Sequence, residues 1–521
     1  MITNSSYSRN NINPDPSNIY DVIIVGAGPV GLATAIGLQK RGVNNILILD
    51  QTREFRPVGQ MIDLAPNGLK ALKCLDPDAY ELVKEVSGKI LQQMISQNQQ
   101  TSAPAPPSTT PVKPPKLSSL EWVIRNCQGQ PIRRLNLGFQ HWAQQYGEGR
   151  LTLPWYQLQT CLREVLLVER ICINHRCLHL VHELQSNCVR IDCVPSTGQE
   201  INPYIYWDQE PQSQEHDPQN SQPAPPTSKM ISIRGKLVVG ADGINSRVRQ
   251  VLYQNTPYPA LAQPEYSGFA AIICQEISKI PATLSQEIEQ VFFQAAPVVT
   301  IISEPYCPPP KNPEISSIIL FKKPNLNFGY MLHLPLALAT LTGKSGTSLI
   351  EVALAALKQA NFPDSLQQLV QLSPPEKVQQ RPYYIHRATL SEQLSFPQTA
   401  KLHEINQPEV NPLWFDQRVV LVGDAAHGMP PFMAQGVNQG LEDALTVATL
   451  IADLSEKKRA DNLEAVNQAW AKYQVYRRSD VVNVQQATLQ QLGCASEEKC
   501  QPYNQEVYGR DLTQLMQQLL H

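Results

Sequence analysis

The sequence predicts an α/β protein in which a Rossmann-like dinucleotide-binding domain alternates along the chain with a second, mostly β-sheet domain. Three observations lead to this fold class: a strand–helix–strand pattern with a glycine-rich turn near the N-terminus, two later apolar strands that each end in a glycine and an aspartate, and a long helical pattern towards the C-terminus. Because the chain has 521 residues, it is too long for one ordinary core, and we expect two or three domains.

The composition is typical of a globular protein, with 42% hydrophobic and 17% charged residues. A net charge of −3 gives no reason to expect a nucleic-acid partner. The first 19 residues are polar and no apolar run reaches the roughly 18 residues of a membrane span, which disfavours a secretory signal and a transmembrane helix. The 11 cysteines are scattered without a Cys-x-x-Cys pair, so we expect reduced thiols, no metal site and a cytoplasmic protein; peripheral membrane contact stays open.

The N-terminal pattern is a βαβ unit. Asp21–Val25 and Ile46–Leu49 are short apolar runs typical of buried parallel strands, and Pro29–Lys40 between them has helical apolar spacing. The turn that opens the helix reads Gly26-Ala27-Gly28-Pro29-Val30-Gly31. In such a turn the first glycine allows the tight bend, the second lets the backbone approach a pyrophosphate, and the third lets the helix pack closely on the strand.

A carboxylate completes this dinucleotide pattern. Asp50 ends the second strand, 22 residues after Gly28, where it can accept hydrogen bonds from both hydroxyls of a ribose. Unpaired N–H groups at the start of the helix offer a further site for the phosphates. These features predict a bound dinucleotide but do not distinguish FAD from a nicotinamide cofactor.

Two later strands also end in carboxylates. Lys236–Val239 leads into Gly240-Ala241-Asp242-Gly243, and Arg418–Val422 leads into Gly423-Asp424. Ligands bind at the carboxyl ends of strands in open α/β sheets, so both aspartates are candidates for cofactor contacts, although such turns are also common without a ligand. A helix is predicted over Gly436–Leu454 from its apolar spacing.

Four sequence blocks resemble the single-component flavin monooxygenases, which include para-hydroxybenzoate hydroxylase, salicylate hydroxylase and the ubiquinone-pathway hydroxylases. In chain order the blocks are DVIIVGAGPVGLATAIGLQKRG, MIDLAPNGLKAL, KLVVGADGINSRVR and RVVLVGDAAHGMPPFMAQGVNQGLEDA. The resemblance implies a Rossmann-like FAD-binding domain of the GR2 type, interleaved with a mostly β-sheet substrate domain and followed by C-terminal helices. It also implies FAD that is not covalently bound, since no flavin-linking histidine or cysteine signature stands in the first turn.

We expect the FAD-binding domain in three pieces, the substrate domain in two, and two insertions without fixed structure. The pieces are residues 20–86, 150–255 and 405–455 for FAD, residues 87–149 and 256–404 for the substrate domain, a disordered N-terminus over 1–19 and a C-terminal helical segment over 456–521. The insertions, at about 92–119 and 195–229, are rich in Pro, Gln, Ser and Thr and poor in large apolar residues. The second lies between the alternating runs Cys188–Val194 and Met230–Ile233, which predicts a hairpin with a long tip.

The resemblance also assigns roles to cofactor-binding residues. By it, Asp242 touches the pyrophosphate and is linked to NAD(P)H use, Asp424 binds the ribityl chain, and the backbone at the start of the C-terminal helix reaches the pyrimidine edge of the flavin. The complete expected FAD set is Gly26, Ala27, Gly28, Pro29, Val30, Gly31, Asp50, Gln51, Arg56, Gln60, Asp242, Gly423, Asp424, Pro431, Ala434, Gln435, Gly436, Val437 and Asn438.

Candidates for substrate contact are fewer, and no catalytic residue is identified. Phe328 and Tyr330 lie on the alternating run Asn327–Leu334 and could line a substrate pocket, with plain core packing as the alternative. By the resemblance, Pro430 belongs to a loop that faces the reactive side of the flavin ring.

Several positions depart from the family or have an open role. Met433 and Ala434 stand where the family usually has glycines, and a side chain there is awkward if the backbone needs a positive φ. Trp155 stands where the family often has an arginine. By the resemblance His427 is structural, and we interpret the pair Arg477-Arg478 as part of a solvated helix face.

The implied function is that of a monooxygenase. NAD(P)H, as a transiently bound co-substrate, would reduce FAD, and O2 would then form a flavin C4a-hydroperoxide. One oxygen atom would pass to an aromatic or olefinic carbon of an aromatic or isoprenoid-like small molecule. Two alternatives stay open. The segment GYMLHLP at 329–335 keeps the spacing of the Gly-Tyr-x-Trp-x-Phe-Pro strand of geranylgeranyl-type reductases but lacks its Trp and Phe. A non-catalytic flavoprotein is the other, suggested by Met433 and Ala434.

Overall fold

The structure is a computed structural model that describes residues 13–100, 121–195, 230–254, 256–294, 296–303, 315–323, 327–389 and 412–520. Strands form an eight-stranded sheet, a seven-stranded sheet and a two-stranded ribbon, and helices pack around them. Within these residues, no helix is both long and apolar enough to cross a membrane.

The strands follow one another along the whole chain. They are β1 (Ile19–Val25), β2 (Ile46–Leu49), β3 (Met61–Leu64), β4 (Glu121–Arg125), β5 (Pro131–Asn136), β6 (Leu151–Pro154), β7 (Ile171–Cys172), β8 (Arg176–Glu183), β9 (Cys188–Val194), β10 (Ile231–Gly240), β11 (Glu265–Ile277), β12 (Val298–Ile302), β13 (Ser317–Lys323), β14 (Asn327–Pro335), β15 (Val378–Ile385), β16 (Phe415–Asp416) and β17 (Val419–Leu421).

The α-helices are concentrated at the two ends of the chain and before β15. They are α1 (Pro29–Lys40), α2 (Pro66–Leu75), α3 (Pro77–Gln100), α4 (Phe139–Tyr146), α5 (Trp155–Val165), α6 (Arg247–Tyr253), α7 (Ala282–Ile288), α8 (Leu338–Leu341), α9 (Gly346–Gln359), α10 (Asp364–Gln371), α11 (Asp424–His427), α12 (Gly436–Glu456), α13 (Leu463–Leu489), α14 (Glu497–Tyr508) and α15 (Leu512–Leu520). Short 3₁₀ turns include Pro431–Met433, and a π-helical turn spans Glu289–Phe293.

The eight-stranded sheet is the dinucleotide-binding fold that the sequence predicts. Its order is β16-β17-β10-β1-β2-β7, and the β8–β9 hairpin pairs with the N-terminal half of β10. β1 is parallel to both β2 and β10, and Val22, Ile23 and Ile24 are fully buried, as expected for a strand covered on both faces. Because the chain leaves β1 in one direction for β2 and returns on its other side as β10, the carboxyl ends of β1 and β10 flank a topological switch point.

The seven-stranded sheet has the order β15-β11-β14-β13-β12-β4-β5 and is antiparallel except for the β12–β4 pair. Alternate residues of its strands face two different environments. On one face, residues such as Ile272 and Leu332 pack against α7, α9 and α10 in one apolar cluster. On the other face, Phe269, Ala271 and Ile273 belong to a smaller cluster that turns towards the first domain.

Most predicted elements are confirmed. α1 and β2 have the predicted bounds, β1 begins two residues before the predicted start, and α12 ends two residues after the predicted end. The predicted hairpin is also confirmed, because Ile231 lies opposite Cys193 in the antiparallel β9–β10 pair. Of its expected tip at about 195–229, residues 196–229 lie outside the described residues.

One expected domain boundary is wrong, and two stretches expected to be disordered, 92–119 and 1–19, are partly ordered. α3 continues to Gln100, nine residues into the segment 92–119, and residue 86 therefore lies inside this helix rather than at a domain boundary. The run Gln92-Gln93-Met94 consists of unbranched residues that favour helix, and Ile90 packs against the main core. Residues 13–18 contain a turn closed by the 2.9 Å hydrogen bond from the Ser17 amide to Asp15. Residues 101–119 lie outside the described residues.

The interpretation of Arg477-Arg478 as a solvated face is wrong. Arg477 is only 1% exposed, and its guanidinium lies 3.0 Å from carboxylate oxygens of Glu442 and Asp443 on α12 and of Asp480 on its own helix. Arg478 donates to two backbone carbonyls. Helical spacing identifies which residues share a face of α13, but not that acidic side chains of α12 cover this face.

Removing the buried cation should destabilise the fold strongly. We expect Arg477→Met to lower the free energy of unfolding by about 3–5 kcal/mol, because the buried carboxylates of Glu442 and Asp443 each lose a counter-charge. Arg459→Met, at an exposed position, is the matched control and should change stability by less than about 0.5 kcal/mol. Urea denaturation of both apo-proteins measures the difference. Equal stability of the two variants would show that the ion pairs contribute little.

Candidate functional site

Three strand ends of the first sheet meet at one edge. The amide of Ala241, after β10, donates to the carbonyl of Val25 in β1 at 2.8 Å, and the amide of Val422, after β17, donates to the carbonyl of Gly240 at 2.9 Å. The glycine turn after β1, the loop after β10 and the Gly423-Asp424 segment are therefore neighbours, as the sequence predicts.

Each glycine of the first turn is needed for a different physical reason. A Cβ on Gly26, whose φ is +112°, would lie 2.3 Å from the carbonyl oxygen of Ala241, and a Cβ on Gly31 would lie 2.0 Å from that of Gly26. Both positions are closed to any side chain by backbone packing. A Cβ on Gly28 would meet nothing nearer than the Trp155 ring at 3.9 Å, so this glycine leaves room beside the turn.

The remaining residues of the turn position α1. No side chain caps this helix, whose first residue is Pro29, so its N-terminal amides stay available to an anion. Val30 packs against Gly423 and Gly440, where an added Cβ would lie 3.2 Å and 2.3 Å from its methyl groups. The start of α1 thus contacts both the loop after β17 and α12.

The carboxylate of Asp50 already makes hydrogen bonds within the protein. It accepts hydrogen bonds from the amides of Ala27 at 2.6 Å and Thr52 at 2.7 Å. Burial raises the pKa of Asp50 above its ordinary value, and the two N–H groups act in the opposite direction. Asp50 therefore holds the glycine turn in shape, and its remaining lone pairs can serve a ribose.

The segment after Asp50 contributes unequally to the site. Gln51 is exposed, and Arg56 is half-exposed with Glu54 as an ion-pair partner at 3.8 Å, which matches an ordinary surface arginine. Gln60 lies deeper: its carbonyl accepts from the Trp155 amide at 2.9 Å and its side-chain oxygen accepts from Arg381 at 3.3 Å.

Asp242 holds a loop in this structure. Its carboxylate accepts from the hydroxyl of Ser246 and from the amides of Arg247 at 2.7 Å and Val248 at 3.1 Å, at the start of α6. These bonds satisfy N-terminal amides of the helix. Because the carboxylate is engaged in these bonds, a contact of this loop with a pyrophosphate would be made mainly by its backbone.

Asp424 differs from Asp50 and Asp242 in the surroundings of its carboxylate. Within the described part of the chain its carboxylate has no hydrogen-bond partner, and it lies close to Gly436, where an added Cβ would be 3.6 Å from Oδ1. Burial raises the pKa of Asp424, while the charges of His427 and Arg381 lower it. A partly buried carboxylate without a protein partner is left to solvent or to a ligand that supplies a hydrogen-bond donor.

The start of α12 is similarly open. Gln435 precedes the helix and no side chain caps it, so the amides of Gly436 and Val437 point out of the helix end. Ala434 has a φ of +52°, in the left-handed region where the family usually has glycine. The Asn438 side chain bonds the carbonyl of Ala434 at 2.7 Å, which helps to hold this conformation.

The loop before α12 brings an aromatic side chain that the sequence did not single out. Pro430 is buried and Pro431 begins the 3₁₀ turn that carries Phe432. The Phe432 ring lies 5.2 Å from the rings of Phe269 and His333, with interplanar angles of 79° and 63°. This loop therefore joins the start of α12 to the second sheet.

Of the two interpretations of Phe328 and Tyr330, core packing is confirmed and pocket lining is wrong. Both are buried on the helix-covered face of the second sheet, where Phe328 packs against Phe293 and the Tyr330 hydroxyl bonds to Ser373 at 2.9 Å. The alternation of the strand was correct, but the opposite residues of β14, including His333, face Phe432. Strand periodicity separates two faces without saying which one meets the other domain.

His427 and Trp155 also have defined places. His427 is 1% exposed and its Nε2 lies 2.6 Å from Asp443, a buried arrangement that fits a structural role. Trp155 covers the outside of the first turn, where its ring approaches the positions of Gly28 and Gly59. The positive charge that an arginine would bring to position 155 is replaced here by an apolar ring.

The residues present fit FAD. The open space at Gly28, the uncapped N-termini of α1 and α12, and the unpartnered Asp424 lie along one edge of the first sheet. They offer amides to phosphates and to a flavin ring, and a carboxylate to hydroxyl groups. Ala434 and Trp155 alter the lining of this site without filling it.

Comparison with known proteins agrees with this geometry. Residues 19–60 and 384–471 match the FAD-binding domain family FAD_binding_3. An FAD-dependent monooxygenase of Gibberella moniliformis is 23% identical over 481 residues, which cover 89% of this chain and 84% of that protein. Among solved structures, a salicylate hydroxylase substrate complex has a TM-score of 0.58 at 14% identity, with 96% of this chain and 98% of that chain covered. Klebsiella pneumoniae HpxO, complexed with FAD and uric acid, has a TM-score of 0.52 at 14% identity and 97% coverage of both chains.

These similarities define an FAD-dependent oxidoreductase with the fold of the flavin-dependent aromatic hydroxylases. The sequence relatives include FAD-dependent monooxygenases, and the fold is shared with salicylate hydroxylase, in agreement with the resemblance inferred from the sequence.

We expect Asp424 to serve mainly in cofactor binding and Asp50 to serve also in the stability of the apo-protein. We expect Asp424→Ala to weaken FAD binding by about 1–3 kcal/mol without lowering the melting temperature of the apo-protein, because no protein group loses a partner. Asp50→Ala should lower the apo melting temperature as well, because the amides of Ala27 and Thr52 lose their acceptor. FAD titration and thermal unfolding of both apo variants test this. A destabilised Asp424→Ala apo-protein, or one with unchanged FAD affinity, contradicts it.

Because the backbone at position 434 is left-handed, we expect glycine at this position to stabilise the protein. A side chain in this region costs roughly 1–2 kcal/mol, and the greater freedom of glycine in the unfolded chain returns about half of that. We expect Ala434→Gly to raise the free energy of unfolding by about 0.5–1 kcal/mol. Ala355→Gly, at an exposed position inside α9, should instead lower it by about 1 kcal/mol. Chemical denaturation of the two variants should give opposite signs, and the same sign for both would refute the assignment of strain.

Proposed function

We propose that this protein is a monooxygenase that uses NAD(P)H and O2 to hydroxylate or epoxidise an aromatic or olefinic small molecule. The observation that carries the proposal is the position of the aromatic cluster Phe269, Tyr383 and Phe432 on the sheet face next to the start of α12. A flavin seated at the start of α12 would have this apolar surface beside its ring. In addition, HpxO, whose fold is similar, is described with uric acid, a flat ring compound.

In this proposal, non-covalent FAD lies along the edge formed by the first turn and the start of α12. The bound cofactor supplies hydride acceptance from NAD(P)H and the activation of O2 for transfer of one oxygen atom. Backbone amides at α1 bind its phosphates, and Asp50 and Asp424 accept hydrogen bonds from its hydroxyls. The partial positive charge at the N-terminus of α12 stabilises the negative charge that reduction places on the flavin. The aromatic cluster excludes water from the reacting face.

A reductase and a non-catalytic flavoprotein receive less support. The relatives with significant sequence similarity include FAD-dependent monooxygenases and a kynurenine 3-monooxygenase. The strand β14, which has the spacing of the reductase motif, directs Tyr330 into the helix-covered core rather than towards the FAD edge.

Substrate-stimulated oxygen transfer tests the proposal. Purified holoprotein should oxidise NAD(P)H faster in the presence of a substrate found by screening, and heavy-isotope O2 should label the product with one oxygen atom. The Asp424→Ala variant, measured below FAD saturation, should lose most of this rate and regain it when FAD is added. Product formed without O2 would indicate a reductase, and failure of every compound to stimulate NAD(P)H oxidation would favour a non-catalytic flavoprotein.

A further inference from the structure

A small residue lies between two polar side chains on the inner face of the second sheet. Ala271 of β11 is directly opposite His333 of β14 on one side and directly opposite Arg381 of β15 on the other. Directly paired residues point to the same face, so the three side chains form a row with the smallest in the middle. Since neighbouring strands are about 5 Å apart, His333 and Arg381 start from backbones about 10 Å apart.

Aromatic rings enclose the His333 end of this row. The His333 ring lies 5.8 Å from that of Tyr383 and 5.2 Å from that of Phe432, while Phe269 lies 5.2 Å from Phe432. Met331, two residues before His333 on the same strand, packs against the same cluster. Apart from Ser317, which lies directly opposite His333 on β13, the side chains packed around His333 are aromatic or apolar, and they adjoin the loop that leads into α12.

His333 itself is the exception within this apolar surface. It is 91% buried, and its Nε2 is buried without a hydrogen-bond partner among the described residues. An unpaired polar atom in such surroundings is costly, and native proteins rarely keep one without a function. Burial lowers the pKa of His333 to about 4, so the imidazole is neutral near pH 7 and can donate or accept one hydrogen bond at Nε2.

The nearest cation on the same face is already engaged. Arg381 donates to the side chain of Gln60 at 3.3 Å, and its charge also acts on the carboxylate of Asp424. A negatively charged group placed at His333 would have to lose its hydration among aromatic rings without a dedicated counter-charge. A neutral hydroxyl, ring N–H or carbonyl would complete the hydrogen bond of Nε2 at a much smaller cost.

We propose that His333 is the substrate-recognition residue of this site, and that it selects flat, uncharged aromatic compounds carrying a hydroxyl, ring N–H or carbonyl group over aromatic carboxylates. The aromatic rings hold the flat framework of the compound, and the hydrogen bond to Nε2 sets its orientation relative to the start of α12. This proposal names the substrate class of the proposed monooxygenase and rests on that function, but it concerns ligand binding and can be measured without turnover.

Three matched compounds test the selectivity. Naphthalene, naphthol and naphthoate, the last two substituted at the same ring carbon, share one framework and differ only in the polar group. They are titrated into FAD-loaded protein near pH 7, and binding is followed by the change in flavin absorbance. We expect naphthol to bind about ten-fold or more tightly than the other two.

Variants on the two faces of β14 separate recognition from folding. His333→Phe keeps the ring contacts and should abolish the advantage of naphthol while leaving naphthalene affinity and FAD binding unchanged. His333→Gln should restore part of that advantage, because an amide can also donate or accept. Tyr330→Phe, on the helix-covered face, removes a hydroxyl that bonds to Ser373 and should leave the selectivity unchanged.

Each contrary result overturns the proposal. It fails if naphthoate binds as tightly as naphthol, if none of the three compounds perturbs the flavin, or if His333→Phe keeps the wild-type preference. It also fails if His333→Phe loses FAD, since the residue would then be structural. None of these outcomes affects substrate-stimulated oxygen transfer, which is measured with compounds found by screening and can stand or fall separately.

Discussion

The buried carboxylate of Asp443 is the interaction on which the arrangement of the FAD edge depends. One of its oxygens accepts from the Gly423 amide at 2.8 Å and lies 2.6 Å from His427, and the other accepts from Arg477 at 3.0 Å. Asp443 thus joins the loop after β17 to α12 and α13 and sets Asp424 beside the start of α12. Burial alone would raise the pKa of Asp443, but His427, Arg477 and the Gly423 amide hold it below its ordinary value. Its stabilising contribution is therefore present above the pKa of an unfolded aspartate and lost as the pH falls below it.

The scaffold and the site follow opposite rules for polar groups. Arg477 and Asp443, inside the scaffold, have their charges paired and their hydrogen bonds made. At the FAD edge, Asp424 and the start of α12 lack protein partners, and on the facing sheet the Nε2 of His333 does too, within the described residues. Ala434 adds a strained backbone at the same place. Local violations of folding rules at positions that face one space are expected where a ligand completes the structure.

The second sheet shows why alternation along a strand is informative only in part. Period-two spacing on β14 correctly separates Phe328 and Tyr330 from His333. Which set becomes core depends on α7, α9 and α10, which cover one face, and on Phe432, which meets the other. These neighbours come from distant parts of the chain, so the spacing within the strand carried no information about them. The same limit explains why Arg477 was taken for a solvated residue.

The sequence by itself determined the βαβ unit, the tight turn at Gly26, the close packing of α1 at Gly31 and the ends of β10 and β17, because each depends on local backbone geometry or on a short motif. The choice of FAD came from the resemblance of four sequence blocks to a known family. The sequence also indicated that a side chain at Met433 or Ala434 would be awkward if the backbone had a positive φ, and the structure gives this conformation to Ala434. Only the tertiary structure decided that Asp50 and Asp242 hold loops while Asp424 stays unpartnered, and that His333 faces the FAD side. The reason is that the partner of a polar group is set by packing between segments far apart in the chain, which no local pattern records.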